Sequence, residues 1–196
     1  MAYLLIGTDR EVAQQTIREH HYLHSVPSGK SHYFRYQDGF IVYSIPANPY
    51  IAQFLLGNKG GVWELSRMWA PDDHHPNLLT GLISATISEF RGLEPGVLAL
   101  VAYADPNVGH EGYVYRAASW CYCGQCQESR CYIAPSGQVV ARRRFHSGGN
   151  HLRKAEIEAL GYTETRLPGK HRYAKGLTRW ARKEIERRFG ECKSNS

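Results

Sequence analysis

The chain has 196 residues and a net charge of +6, long enough for one domain over residues 1–196 with a proper core. Its apolar and aromatic content is that of a globular protein and excludes wholesale disorder. No run approaches the roughly 18 apolar residues of a membrane span, and Asp9 and Arg10 close behind a short apolar stretch do not read as a signal peptide, so the expected place is the cytoplasm.

Tyr3-Leu4-Leu5-Ile6 reads as a short strand, and Thr8-Asp9-Arg10-Glu11 as a capping box opening a helix that runs through Val12, Ala13 and Ile17 to about His20. Residues Ser31 to Ile45 predict a hairpin, with two β-rich runs around a turn at Asp38-Gly39. A loop rich in Pro, Asn and Gly follows, then a strand from Gly61 to Trp69. Pro76-Asn77 opens an amphipathic helix with Leu78, Leu79, Leu82, Ile83, Ile87 and Phe90 on one side, ended by Gly92. Val97 to Tyr103 is a continuous apolar run, as in a strand buried on both faces.

Next come a short helix near Gly109 to Ala117, a strand at Ser119 to Cys123 and a second hairpin turning at Ser136-Gly137. Cys121, Cys123, Cys126 and Cys131 fall in this stretch with the spacing C-x-C-x2-C-x4-C, which reads either as a thiolate site for zinc or iron or as small core packing. A helix at His151 to Leu160 stops at Gly161, Gly169 to Tyr173 is a strand, and a basic helix over 177–189 follows. That helix turns Leu177, Ala181, Ile185 and Phe189 inward and shows Arg179, Arg182, Lys183 and Arg187 elsewhere. Residues 142 to 196 hold 15 Lys and Arg against 6 acids. The asymmetry is an electrostatic footprint for DNA or RNA, or else a solvated basic face.

The order β-α-β-β-β-α-β-α-β resembles the GNAT acetyltransferase-like fold: a mixed α/β (α+β) domain with a mostly antiparallel central sheet flanked by helices. Two segments are more specific. They are Glu64-Leu65-Ser66-Arg67-Met68-Trp69-Ala70-Pro71-Asp72-Asp73, and Tyr103-Ala104-Asp105-Pro106-Asn107-Val108-Gly109-His110-Glu111-Gly112-Tyr113-Val114-Tyr115 running into Ala118-Ser119-Trp120. Together they resemble the Mom family of phage DNA-modification proteins, itself a divergent member of that fold. Leu167-Pro168-Gly169-Lys170-His171-Arg172-Tyr173 resembles its closing strand.

The resemblance implies a transferase that converts adenine in DNA to an N6-acetamido (carbamoylmethyl) derivative, shielding phage DNA from host restriction. It would act in the host bacterial cytoplasm. It places the functional positions at Arg67, Asp105 and Tyr115, with Thr80 supplying the hydroxyl that the family carries as Ser near the start of the central helix, and His21-Tyr22 matching a His-Tyr pair. His110, Lys170 and Arg172 join them as candidate substrate-binding residues.

The residue types suit that chemistry. The adenine N6 lone pair is delocalised into the ring, so alkylation needs a proton acceptor near N6 and donors that hold a carbonyl-bearing group. Asp105 follows a buried strand whose apolar wall would raise its pKa and make it a base; equally, it reads as a helix cap or Asp-Pro turn. Tyr115 could donate a proton or be a core tyrosine. Arg67 alternates with Leu65 and Trp69, so it is expected on their face, paired with Asp105 or an anionic ligand, or in a structural ion pair. His110 could cap a helix or bind phosphate.

Acetyltransferases of this fold cradle a cofactor pyrophosphate on a glycine-rich turn. Here that turn is Ala70-Pro71-Asp72-Asp73-His74-His75-Pro76, with two acids and no glycine, so acetyl-CoA bound in the usual way is in doubt and the acyl or acetamido donor is unknown. Two other functions stand beside the DNA-modifying transferase: a conventional acetyltransferase on a small amine or protein, and a non-catalytic nucleic-acid binder with a cysteine-held metal.

Overall fold

The computed structural model describes residues 4–6, 10–146 and 151–190, so the Thr8-Asp9 end of the expected capping box lies outside the described residues. The elements are β1 (Leu4–Ile6), α1 (Arg10–His20), β2 (Ser31–Tyr36), β3 (Gly39–Ser44), α2 (Ile51–Leu56), β4 (Val62–Trp69), α3 (Leu78–Leu93), β5 (Ala99–Ala104), α4 (Tyr113–Ala117) and β6 (Cys121–Gln125). Then come β7 (Ser129–Ile133), β8 (Val139–Ala141), α5 (Lys154–Ala159), β9 (Thr163–Leu167), β10 (His171–Gly176) and α6 (Arg179–Phe189). No described helix is long and apolar enough to cross a membrane.

The main sheet has the order β1-β2-β3-β4-β5-β10-β6. Neighbours are antiparallel except β4 and β5, which run parallel. One face is covered by α3 and α4. There Phe34, Ile41, Tyr43, Leu65 and Tyr173 pack against Leu82, Ile83 and Phe90 in an aromatic-rich core. Each fully buried side chain of this size contributes about 1.5–3 kcal/mol. The other face takes α1 on Tyr33, Phe40 and Val42, and α2 with α6 on Val62, Val101, Cys123 and Ala174. This is the mixed α/β, mostly antiparallel sheet expected from the order of elements.

Three local readings are corrected. The hairpin turns at Gln37-Asp38, one residue earlier than expected: Tyr36 pairs with Gly39 and Gln37 takes the positive φ of 53°. The loop after β3 contains α2, held by Ile51, Ala52, Leu55 and Leu56 against α6. The hairpin at Ser136-Gly137 forms as β7 and β8, but in a separate sheet of order β8-β7-β9 whose third strand was not foreseen. Tyr132, Val140, Phe145 and Ile157 give that sheet its own small core.

Candidate active site

The site begins with a defect in β4. Leu65 pairs with Tyr43 and Arg67 with Val42, which leaves Ser66 as an extra residue, a β-bulge. Its hydroxyl donates to the Val42 carbonyl at 3.2 Å. The parallel pairing with β5 runs from Val62 opposite Ala99 to Leu65 opposite Ala102 and ends there. Beyond the bulge β4 stays with β3, while β5 stays with β10. Bulges bend and twist the strand that carries them, and here the two parallel strands part. The wedge holds a cavity of about 530 Å³, bounded by the second half of β4, the segment from Gly109 to Tyr115, and His20, His21 and Tyr22 at the end of α1.

The bulge also reverses the alternation in β4. Leu65 lies in the core under α3, whereas Trp69 packs with Phe40 and Val42 on the α1 side. Arg67, opposite Val42, falls on the α1 side too, so the expectation that Arg67 shares a face with Leu65 is wrong. Asp105 takes Lys170 and Asn107 as its partners. Arg67 Nε donates to the Ser25 carbonyl at 2.7 Å and Nη1 to the Ser66 carbonyl at 2.6 Å. These bonds fix a guanidinium in the wall of the wedge.

His21 is 8 % exposed and its Nδ1 accepts the Leu23 amide at 3.1 Å. Burial, then the neighbouring charges of Arg67, His110 and Lys170, depress its pKa to about 4. At neutral pH it is therefore uncharged with its proton on Nε2, a donor. Tyr22 stacks on His21 at 4.6 Å and meets His110 edge-on at 5.2 Å. Lys170 Nζ donates to the Tyr22 hydroxyl at 3.5 Å and pairs with Asp105 Oδ2 at 3.1 Å. The His-Tyr pair, His110, Lys170 and Asp105 are thus brought together.

Asp105 differs from expectation in its charge state. Burial pushes the carboxyl up, but hydrogen bonds from Lys170 and Asn107 and the Lys170 charge outweigh it, holding the pKa below the ordinary aspartate value. Asp105 also caps the short 3-10 turn Pro106–Val108 through the Asn107 amide at 3.1 Å, as the alternative reading had it. Tyr115 is buried against Trp120 and Tyr173, both at 5.4 Å, and burial lifts its pKa far above the usual phenol value. It is a core tyrosine at the back of the wedge and stays protonated. Gly112, the second glycine of the Gly-His-x-Gly string, has φ 78°, and a Cβ there would collide with the Tyr173 ring.

Lys170 reaches Tyr22 and pairs with Asp105, but neither Lys170 nor Asp105 lines the cavity itself, and two further candidates lie elsewhere. The Thr80 hydroxyl donates to the Asn77 carbonyl at 2.9 Å within the first turn of α3, and its neighbour Leu79 faces the cavity instead. Arg172 stacks on Phe54 of α2 at 4.2 Å and donates to the Cys123 carbonyl and Cys126 Sγ, away from the wedge. The cysteines do not assemble. Cys121 and Cys123 are buried in β6 beneath α6, where Cys121 is held in a disulfide and Cys123 is a free thiol; Cys126 accepts from Arg172, and Cys131 is buried in the second sheet. Among the described residues no group of three His, Cys, Asp or Glu is placed to hold a metal.

Glu64 was not singled out from the sequence. It sits on β4 between Ser44 and Val101, and burial raises its pKa against the opposing pull of a backbone bond at Ala47 and the charges of Arg67 and Lys170. A Glu inside Val62-Trp63-Glu64-Leu65 was the available signal, because a carboxylate in a buried strand needs a reason. Beside it burial pushes the Tyr103 phenol up to about 12. The turn from β4 to α3 keeps Asp72 and Asp73 exposed, and Asn77 makes no side-chain cap. Two carboxylates without a glycine cradle do not fit a pyrophosphate.

A model of the Mom protein family matches residues 3–191. Methylcarbamoylase mom of Escherichia phage Mu is 29 % identical over 130 residues, covering 64 % of this chain and 52 % of that protein. The match thus spans about half of its length. Among solved structures, Arabidopsis thaliana NAA60 in complex with acetyl-CoA superposes with a TM-score of 0.52 at 9 % identity, over 90 % of this chain and 99 % of that one. A GNAT-family protein of Desulfovibrio desulfuricans gives a TM-score of 0.47 at 12 % identity, over 91 % and 100 % of the two chains.

Proposed function

The chain belongs to the Mom protein family, and from that premise we propose that it is a transferase converting adenine in DNA to its N6-acetamido derivative, the protection of phage DNA from host restriction being the purpose. The observation that carries this reading is the wedge. It has the volume of a small-molecule site, its walls include Tyr22 and Trp69, whose rings suit a nucleobase, and one fixed cation and two neutral donors face it. An adenine reaches such a cavity only when flipped from the duplex or presented on a single strand.

In the reaction the N6–carbon bond forms, the donor's leaving group departs with the bonding pair, and N6 loses a proton. Arg67, and His21 through Nε2–H, would hold the carbonyl oxygen of the incoming acetamido group, with the Tyr115 hydroxyl at the rear. Asp105, kept ionised by Lys170, would take the proton. Its depressed pKa makes it a weak base, but N6 becomes strongly acidic as the new bond forms, so a weak base that is always ionised suffices. No step runs through coenzyme A, because the turn that would bind its pyrophosphate does not fit.

The test is mass analysis of nucleosides from DNA of cells expressing the parent and the variants Arg67→Ala, Asp105→Asn and Tyr115→Phe. The expected result is a modified adenosine heavier by an acetamido group with the parent and its loss in each folded variant. Unmodified DNA from the parent, with acetylated protein or small amines in its place, would return the chain to the conventional acetyltransferases.

A further inference from the structure

At the lip of the wedge, outside the groups assigned to the reaction, lies an exposed strip built from α4 and β6. Tyr113 lines the cavity and is 70 % exposed, and Tyr122 is 42 % exposed. Between them stands Arg116, its guanidinium carbon 5.8 Å from the centre of the Tyr113 ring and 5.9 Å from that of Tyr122. Nε of Arg116 donates to the Tyr173 hydroxyl at 3.2 Å, and that hydroxyl donates to the Glu111 carbonyl at 2.7 Å, so the cation is fixed from behind. Tyr122 is held in turn by its hydroxyl against His171 Nδ1 at 3.1 Å. Among the described residues no carboxylate pairs with Arg116.

Exposed rings grouped at the mouth of a cavity, unlike rings scattered singly over a surface, are the kind of patch that marks an interaction site. The Tyr113 hydroxyl makes no hydrogen bond within the described residues, so the fold is not using its polar end. Two rings with a cation between them offer what an unstacked base and its phosphate require: π-faces for the base, and a guanidinium that makes no ion pair among the described residues. Apolar protein partners would not select the central cation, whereas a nucleotide uses both parts.

We propose that Tyr113, Arg116 and Tyr122 form a stacking platform for the nucleotide next to the modified adenine, holding the opened strand while the target base enters the wedge. This rests on the DNA reading above and deepens it. Because stacking does not read base edges, the platform would tolerate any neighbouring base.

The experiment is a fluorescence-anisotropy titration of the full chain with short single-stranded oligonucleotides. Each carries one adenine, with the flanking nucleotides either intact or replaced by abasic sites. For the intact strand, Tyr113→Ala is expected to weaken binding by roughly five- to a hundredfold, the usual yield of one stacked base, and Tyr113→Phe to bind as the parent. Arg116→Ala is expected to weaken binding and shallow its salt dependence. With abasic flanks the parent should bind as weakly as Tyr113→Ala. Unchanged affinity in Tyr113→Ala and Tyr122→Ala, or an equal loss whether the flanks are intact or abasic, would overturn the platform while leaving the DNA reading in place. A parent that bound no DNA at all would overturn that reading first, and the platform with it.

Discussion

The two faces of the main sheet are built on opposite terms. Under α3 the side chains are mostly apolar and aromatic, with Tyr43 bonded to Thr86 at 2.9 Å. Across the sheet, between the end of α1 and α2, the strands present Glu64, Arg67, Tyr103 and Arg172, with Asp105 and Lys170 at the ends of β5 and β10. One face stores stability through packing, and the other holds partly buried charges in paired and hydrogen-bonded arrangements, which add little net stability and fix geometry. The bulge at Ser66 joins the two, since it moves Arg67 from the first face to the second.

The largest effects should separate those faces. Phe90 is fully buried against Tyr43, Phe34 and Trp63. Phe90→Ala should therefore cost about 3–5 kcal/mol, read as a lower denaturation midpoint. Arg67→Ala should shift that midpoint far less and yet abolish adenine modification. Equal losses of stability in the two variants would erase the contrast between scaffold and site.

A second prediction uses pH. His21 has its folded-state pKa depressed to about 4 by burial and by Arg67, His110, Lys170 and His24. An unfolded histidine titrates near 6.5, so in this window the unfolded chain binds more protons than the folded one. The contribution of His21 is therefore fully present above about pH 6.5 and is lost as pH falls towards 4. It amounts to about 3 kcal/mol at one proton and 1.36 kcal/mol per pKa unit. Chemical denaturation at several pH values should show this acid-side loss in the parent and a flatter profile in His21→Gln. An unchanged profile in the variant would mean that His21 titrates normally.

What could be read from the sequence follows from where the determinants lie. The helix from Leu78 to Leu93 and the strand Ala99–Ala104 announce themselves, because their burial is written in their own periodicity. The bulge does not, since it is decided by register against β3, and so the face of Arg67 was misassigned. Six residues of α2 are too few to form a helix without α6 beneath them. Strand β9, Thr163 to Leu167, has little apolar alternation. It is held by its ladder with β7 and by the ion pairs Arg130–Glu164 at 4.0 Å and Arg166–Glu128 at 3.6 Å. Residue types at the site were legible from the family segments, but the tie of Asp105 to Lys170, 65 positions later in the chain, reversed the expected sign of its pKa.

The smallest effect concerns α6, which lies on the polar side of the sheet and carries bases of two kinds. Arg187 and Arg188 are committed to Glu184 at 2.7 and 2.6 Å, and Arg188 also reaches the Phe54 carbonyl. Arg182 and Lys183 are exposed and make no ion pair among the described residues. If the helix tracks a DNA backbone, these two carry the phosphate contacts. Removing both in Arg182→Ala with Lys183→Ala should then weaken binding about equally for all sequences, because phosphate contacts position a protein without reading bases. Each lost contact should also reduce the slope of log affinity against log salt by about 0.9, so the double variant becomes shallower by roughly 1 to 2. Modification at saturating DNA should persist, since α6 contributes nothing to the wedge. Substituting Arg187 and Arg188 instead should shallow the slope less, because Glu184 already neutralises part of their charge. Anisotropy titrations at several salt concentrations distinguish the cases, and identical slopes in the parent and the first double variant would make α6 an ordinary solvated cover on the sheet.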